Sequence, residues 1–163
     1  MIARLVLGIA LISFIGTGAA LHAQEALDPA LTTEADASSF APISGADADL
    51  SQFVWKNRPV VVFADSPFDP AFIEQMRLLE ARWPELEIRD VVVITDTDPA
   101  AASSVRKTLR PRGFSLVLMT KDGMVSIRKP LPWDGREIMR AIDKMPIRRE
   151  EIRNGAPVTV RSR

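Results

Sequence analysis

The 163-residue chain contains no cysteine, and its one histidine is His22, close to the amino terminus. No disulfide can form, and no thiol is available as a nucleophile or a metal ligand. An excess of charge of one sign is also lacking, since Lys and Arg number 21 and Asp and Glu number 21. This balance gives no indication of a nucleic-acid partner.

Residues 1–23 have the pattern of a cleavable signal peptide. A short basic region ends at Arg4, an apolar run of 11 residues follows, and small residues come next. A membrane-spanning helix needs about 20 apolar residues, so the run predicts secretion rather than a retained anchor. We place the cleavage after Ala23, with Ala20 as the alternative. The mature chain is expected in the periplasm or outside the cell, not as an integral membrane protein.

Cleavage after Ala23 removes the histidine and leaves neither imidazole nor thiol. Ser-His-Asp and Cys-His catalysis are then excluded, as are zinc, copper and haem sites that use nitrogen or thiolate ligands. Carboxylate chemistry, lysine chemistry and oxygen-only cation sites remain. Cleavage after Ala20 would keep His22 on a flexible arm, where no catalytic role is expected.

Residues 24–49 predict a flexible acidic leader, with Phe40 and Ile43 as its two possible contacts with the domain. The segment has six acidic residues, no basic residue and too little apolar surface to fix its backbone. In the alternative interpretation, this acidic arm docks on a basic surface. Residues 51–163 carry 20 basic and 15 acidic groups, which gives that alternative its support.

Residues 50–152 begin with alternating strand and helix patterns. Two apolar runs, residues 59–64 and 88–94, are typical of strands covered on both faces. Asp69-Pro70 and Asp98-Pro99 each place a helix cap before a proline, which predicts a helix after each strand. Pro84 is expected to end the first of these helices.

The second half of this domain predicts a hairpin and a last helix. Residues 115–120 and 124–128 flank Lys121-Asp122-Gly123, in which Asp-Gly predicts a tight turn. Asp134 and Glu137 predict a capping box, and Pro146 ends or kinks the helix. The resulting order is βαβαββα, an α/β fold with a mixed sheet, which is the order of the thioredoxin fold.

The resemblance to thioredoxins does not extend to their chemistry. The Cys-x-Pro-Cys motif of that family begins the first helix, and Phe68-Asp69-Pro70-Ala71 stands at that position here. A cis proline before the third strand would fall near Phe114, where the nearest proline is Pro111. The resemblance therefore implies the fold without its redox centre.

A closer resemblance covers roughly residues 50–152. Residues 55–59, 89–93, 121–123 with Arg128, and 142–149 together resemble a bacterial exported family catalogued as domain of unknown function 4174. That resemblance implies a thioredoxin-like domain with no established activity. The arginines that follow it predict a basic tail at residues 153–163. The motif residues are Arg58, Lys121, Asp122, Gly123, Arg128, Asp143, Met145, Pro146, Arg148 and Arg149.

The predicted binding surface joins the tip of the first helix to the loop before the third strand. For Asp69 the alternatives are a general base or a helix cap, and for Phe68 an exposed apolar contact or core packing. Asp96-Thr97-Asp98 is either a hard-cation site or a loop with a cap. Motif arginines either bind a ligand or pair with a buried acid such as Asp90 or Asp143. The predicted binding residues are Phe68, Asp69, Pro70, Pro111, Arg112 and Gly113.

We therefore expect a non-catalytic, redox-inactive periplasmic binding or accessory module for an unknown protein or peptide. No catalytic residue, metal site, cofactor or nucleic-acid partner is predicted. The alternatives are a thiol-independent, carboxylate-dependent hydrolase and a structural envelope protein. An enzyme should bring two ionisable groups together in one pocket, with at least one displaced pKa. A binding module should instead expose an apolar patch near Phe68 and the loop Pro111–Phe114.

Overall fold

A five-stranded mixed sheet organises residues 39–155, which are the residues described by this computed structural model. The predicted signal peptide, the leader as far as residue 38 and the tail from residue 156 lie outside the described residues. From Arg58 onward the elements follow the predicted βαβαββα order, with the first and last helices each broken in two. The predicted α/β class and mixed sheet are confirmed.

The strands are β1 (Ile43–Ser44), β2 (Arg58–Phe63), β3 (Val91–Asp96), β4 (Ser115–Met119) and β5 (Val125–Lys129). Their order across the sheet is β1-β3-β2-β4-β5. The first three in that order are parallel, β4 is antiparallel to β2, and β5 is antiparallel to β4. The helices are α1 (Pro70–Glu80), α2 (Trp83–Glu87), α3 (Ser104–Leu109), α4 (Gly135–Asp143) and α5 (Pro146–Arg153), with 3-10 turns at Leu50–Phe53 and Pro99–Ala101.

Helices cover both faces of the sheet, which explains the continuous apolar runs. Every residue of β2 and β4 is buried. Because side chains alternate along a strand, Val60 packs with Leu79 of α1 and Ile138 of α4 on one face. Phe63 packs with Val105 of α3 on the other face. The core is therefore divided into two apolar clusters, one on each side of the sheet.

The domain begins earlier than the predicted boundary at residue 50. Phe40 packs edge-on against Trp83, with ring centroids 5.4 Å apart, and β1 pairs with β3. The amide of Gly45 donates to the Thr95 carbonyl at 2.7 Å, and a Cβ at Gly45 would lie 2.9 Å from that of Asp96. An edge strand held by main-chain bonds needs little apolar sequence, so the acidic composition gave no sign of it.

Two prolines that the sequence pattern placed at the end of one helix lie instead at the start of the next helix. α1 stops at Glu80, and Pro84 then lies in the first turn of α2, where its missing N–H has no intrahelical role. Pro146 is likewise the first residue of α5. Each proline separates two helices and allows the chain to change direction between them.

The other helix starts show which predicted caps are used. Asp98 caps only the 3-10 turn, and Ser103 caps α3 by accepting the Arg106 amide at 3.0 Å. Asp134 caps α4, but Glu137 pairs with an arginine of the next turn and does not complete a capping box. α1, the longest helix between residues 39 and 155, has 11 residues. No helix in that range combines the length and apolar character needed to cross a bilayer.

Replacing Leu79 by alanine should lower the free energy of unfolding by about 2–5 kcal/mol, because it leaves a cavity in the core beneath α1. Leu79 is fully buried, whereas Ile73 on the same helix is 54% exposed. Ile73→Ala is therefore the matched control, with an expected change of less than about 1 kcal/mol. Urea unfolding followed by circular dichroism measures both values, and equal losses would contradict the packing described.

Candidate functional site

The structure distributes the predicted site residues between the two ends of the sheet. β2 starts at Arg58 and leads at its other end to residues 65–70. Because β4 runs antiparallel to β2, residues 110–114 lie at the same end as residues 65–70, and Lys121 lies at the Arg58 end. The end at which β2 finishes and β4 begins carries the predicted binding residues. We call these residues the strand-end surface: Phe68, Asp69, Pro70, Pro111, Arg112 and Gly113.

At the strand-end surface, the start of α1 exposes the ring of Phe68 next to the carboxylate of Asp69, which is hydrogen-bonded to the helix. Asp69 accepts the amide of Ala71 at 2.8 Å and that of Phe72 at 3.4 Å, so it serves as the helix cap. The amide of Phe68 donates to the Ser66 hydroxyl at 3.2 Å, and the Phe68 side chain is 82% exposed. Pro70 occupies the first helical position. This tip offers apolar contact more than proton transfer.

The loop before β4 brings its predicted residues next to the segment that follows β2. A Cβ at Gly113 would lie 3.9 Å from a carboxylate oxygen of Asp65. Gly113 has a φ of 58° and Arg110 a φ of 47°, so the chain passes twice through the left-handed region around Pro111. Only one of these two positions has glycine, the residue that adopts this conformation without strain.

A shallow cavity of about 510 Å³ adjoins this loop. The guanidinium of Arg128 donates to the Leu109 carbonyl at 2.9 Å and so provides a hydrogen-bond partner for a carbonyl at the carboxyl end of α3. Phe114 belongs to the loop that was predicted as part of the binding surface, whereas Arg110 was not predicted, because the cavity forms only where α3 packs beside the hairpin. Its lining, which we call the arginine groove, is Leu109, Arg110, Arg112, Phe114, Ser115, Arg128 and Pro130.

Asp96, considered as a cation ligand, is instead bound by protein groups. Arg106 donates to one of its oxygens at 2.8 Å, and the Ser103 hydroxyl donates to the other. Burial raises the pKa of Asp96, but the hydrogen bonds from Arg106 and Ser103 and the charge of Arg106 more than offset this, so its pKa is lowered. Asp98 caps the 3-10 turn. Within residues 39–155, no cluster of three acidic, histidine or cysteine side chains could hold a metal ion.

At the opposite end of the sheet, four of the motif residues and three further charged groups form one ion-pair cluster. The buried Arg58 binds both oxygens of Glu151 at 2.9 Å and lies 3.5 Å from Asp90. Lys121 reaches Asp90 at 2.8 Å and Glu151 at 2.9 Å. The members of the ion-pair cluster are Arg58, Arg89, Asp90, Lys121, Asp143, Arg148 and Glu151.

The ion-pair cluster connects the last two helices to the sheet. Arg89 binds Asp143 of α4 through two bonds, at 2.9 and 3.0 Å, and Arg148 lies 3.9 Å from Asp143 and 3.3 Å from Glu151. Burial raises the pKa of Glu151, but hydrogen bonds from Lys121 and Arg58 and their charges outweigh it, so its pKa is lowered. A carboxylate held in its charged form is a poor proton acceptor near neutral pH.

Local structural roles account for most of the remaining motif residues. Asp122 accepts hydrogen bonds from the Thr120 hydroxyl and the Met124 amide, and Gly123 has a φ of 84°, as the tight hairpin turn requires. Met145 is buried between α4 and α5, while Arg149 is exposed on α5. Sequence reasoning missed Glu151 and Arg89, although Glu151 stands three residues after Arg148, a spacing that favours an ion pair on a helix.

Replacing Glu151 by glutamine should lower the free energy of unfolding at neutral pH by about 3 kcal/mol, because it leaves the buried Arg58 and its neighbour Lys121 without one charged partner. The folded pKa of Glu151 is lowered, so its contribution is fully present above the unfolded value of about 4.3 and is lost as the pH falls below it. The difference between wild type and E151Q in urea unfolding should therefore shrink below about pH 4.

Glu150→Gln is the matched control for this measurement, since Glu150 is the exposed neighbour on the same helix. Its effect should stay within about 0.5 kcal/mol at every pH. A difference between wild type and E151Q that stays constant from pH 7 to pH 3 would contradict the role given to the charge.

Several solved structures are similar to this chain, and the first of those below supports the fold. The chain is similar to Plasmodium yoelii Prx1a, at 16% identity and a TM-score of 0.51 over 66% of this chain and 82% of that one. It is also similar to Plasmodium yoelii thioredoxin peroxidase I, at 16% identity and a TM-score of 0.48 over 71% and 86%. A third structure is the mitochondrial 2-Cys peroxiredoxin from Plasmodium falciparum, at 14% identity and a TM-score of 0.45 over 69% and 86%.

Comparison of sequences identifies a family but no characterised relative. No curated protein matches the chain. The family model described as Domain of unknown function (DUF4174) matches residues 49–151, a range that contains the whole ion-pair cluster and the strand-end surface. The chain therefore belongs to the DUF4174 family, and its fold is thioredoxin-like.

Proposed function

We propose that this protein is a non-catalytic, redox-inactive binding or accessory module that holds a peptide or protein segment at its strand-end surface, outside the cytoplasm. The observation that carries the proposal is the exposure of Phe68, whose side chain is 82% accessible at the start of α1. Fully burying a Phe side chain contributes about 1.5–3 kcal/mol. Covering this one ring with a partner would therefore supply an apolar contribution of that size, which the entropic cost of association partly offsets.

The chemistry of the surface favours binding over catalysis. Asp69 is committed to capping α1, and Asp96 is bound by Arg106 with a lowered pKa. A general base that works near neutral pH needs a carboxylate with a raised pKa and a free lone pair. Two of the similar structures are named a thioredoxin peroxidase and a 2-Cys peroxiredoxin, but this chain has no cysteine with which to perform thiol chemistry.

The proposed location rests on residues 1–23. Expression of the full chain in a Gram-negative host should give a periplasmic protein whose amino terminus is Gln24, because the apolar run and the small residues before Ala23 suit signal peptidase. Cell fractionation and intact-mass measurement test this. A variant with Arg inserted within the apolar run is the control and should stay unprocessed, while an unprocessed wild-type chain in the cytoplasm would contradict the location.

Replacing Phe68 with the photo-crosslinker p-benzoylphenylalanine should give one discrete adduct in living cells, because the proposed partner covers this ring. Ile73, 54% exposed on the same helix, is the matched position and should give no such adduct. Denaturing gels and mass spectrometry of the products provide the measurement. Identical adduct patterns at the two positions, or none at Phe68, would refute the strand-end surface as the binding site.

A further inference from the structure

The arginine groove concentrates positive charge that the described part of the chain does not neutralise. Arg110, Arg112 and Arg128 form no ion pair with any acid in residues 39–155. In the ion-pair cluster, by contrast, each guanidinium has a carboxylate partner. Three like charges around one cavity of about 510 Å³ repel one another and favour an anionic occupant.

The lining of the groove also selects the kind of anion. Leu109, Phe114 and Pro130 contribute apolar surface between the arginines. Guanidinium groups bind carboxylates through paired, charge-assisted hydrogen bonds, and aliphatic side chains suit the apolar surface. The groove therefore suits a ligand that combines carboxylates with apolar groups.

Directly beside the groove, β5 forms an open edge of the sheet. β5 is the last strand in the order, and its outer side pairs with no other strand in residues 39–155. An open edge presents main-chain N–H and C=O groups to an added strand. Exposed apolar side chains stand at both ends of the strand, with Met124 at 66%, Val125 at 44% and Leu131 at 70% exposure.

The edge and the groove share one residue. Arg128 lies in β5 opposite Val117, whose side chain packs in the cluster on the α3 side of the sheet. Arg128 is on that same side, as its bond to the Leu109 carbonyl requires. Since side chains alternate along a strand, every second side chain of a strand added beside β5 would also face that side, next to the groove.

We propose that the free edge of β5 and the arginine groove bind an extended acidic polypeptide segment, which adds to the sheet as a sixth strand. Its main chain pairs with β5, alternate carboxylates reach Arg110, Arg112 and Arg128, and its apolar residues cover Met124, Val125 and Leu131. This inference rests on the proposed binding function and names the chemistry of the partner. A polypeptide fits better than a nucleic acid because the open edge offers main-chain donors and acceptors that only another peptide chain matches in register.

The probe for this proposal is a synthetic 12-residue peptide in which Glu alternates with Val. Added to the ¹⁵N-labelled protein, it should shift the amide resonances of β5 and of residues 109–115 in a saturable manner. Raising the salt from about 50 to about 300 mM should weaken binding at least tenfold, as expected when several charges are paired. A peptide in which Lys alternates with Val should produce no such shifts.

Variants of the groove give the second measurement. The double variant R110N and R112Q should lower affinity for the Glu-Val peptide at least tenfold, and asparagine tolerates the left-handed conformation at position 110. The double variant R136Q and R149Q removes the same charge from two exposed arginines on α4 and α5, away from the groove. This control should change affinity by less than twofold.

Several results would overturn the inference. In the titration, these are the absence of amide shifts at millimolar peptide, or shifts confined to residues 65–72. In the variants, it is an equal loss of peptide affinity in the two double variants. Binding of a single-stranded DNA 12-mer at the groove in place of the peptide would also contradict it. The inference would also be overturned if sedimentation and NMR relaxation showed a dimer of the chain that is joined through the β5 edge. If Phe68 gives a discrete adduct but no peptide binds at β5, the proposed binding function is retained and the acidic partner is rejected. If Phe68 gives no adduct and no peptide binds at β5, both the binding function and the acidic partner are rejected.

Discussion

The buried guanidinium of Arg58 determines how the last helix, α5, meets the sheet. Its side chain is 1% exposed, and a charge at that depth is tolerated only when carboxylates and carbonyls surround it. Those groups come from distant segments: the Arg89 carbonyl and Asp90 before β3, and Glu151 on α5. Because Glu151 also binds Lys121, one set of charges holds the hairpin, the entry to β3 and α5 together.

The two ends of the sheet consequently differ in whether their charged groups are paired within the chain. At the Arg58 end, positive and negative groups pair with one another, although Nε of Arg58 and Nε of Arg148 are buried without a hydrogen-bond partner in the described part of the chain, and a lowered pKa keeps Glu151 charged. At the other end, Phe68 is exposed and the arginine groove has no acid of its own among residues 39–155. Charges that pair within the chain stabilise the fold, whereas the exposed ring and the arginines left unpaired within that range are available to another molecule.

Local patterns predicted most of the fold and part of the site. The apolar runs of β2 and β3, the Asp69-Pro70 helix start and the Asp122-Gly123 turn each depend on neighbouring residues and were visible in the sequence. β1 was missed because main-chain bonds hold it. The bond from Arg58 to Glu151 joins residues 93 positions apart, and the arginine groove needs α3 packed against the hairpin, so neither leaves a local pattern.

The unequal edges of the sheet bear on the stoichiometry of any complex formed through them. β1 is only two residues long and is followed by Gly45, which lies close against β3, so this edge offers almost no length for pairing. β5 is five residues long. Within residues 39–155, the sheet therefore has one edge of useful length, which accepts one added strand. A complex formed through this edge alone would be one-to-one and would not grow into a chain of domains.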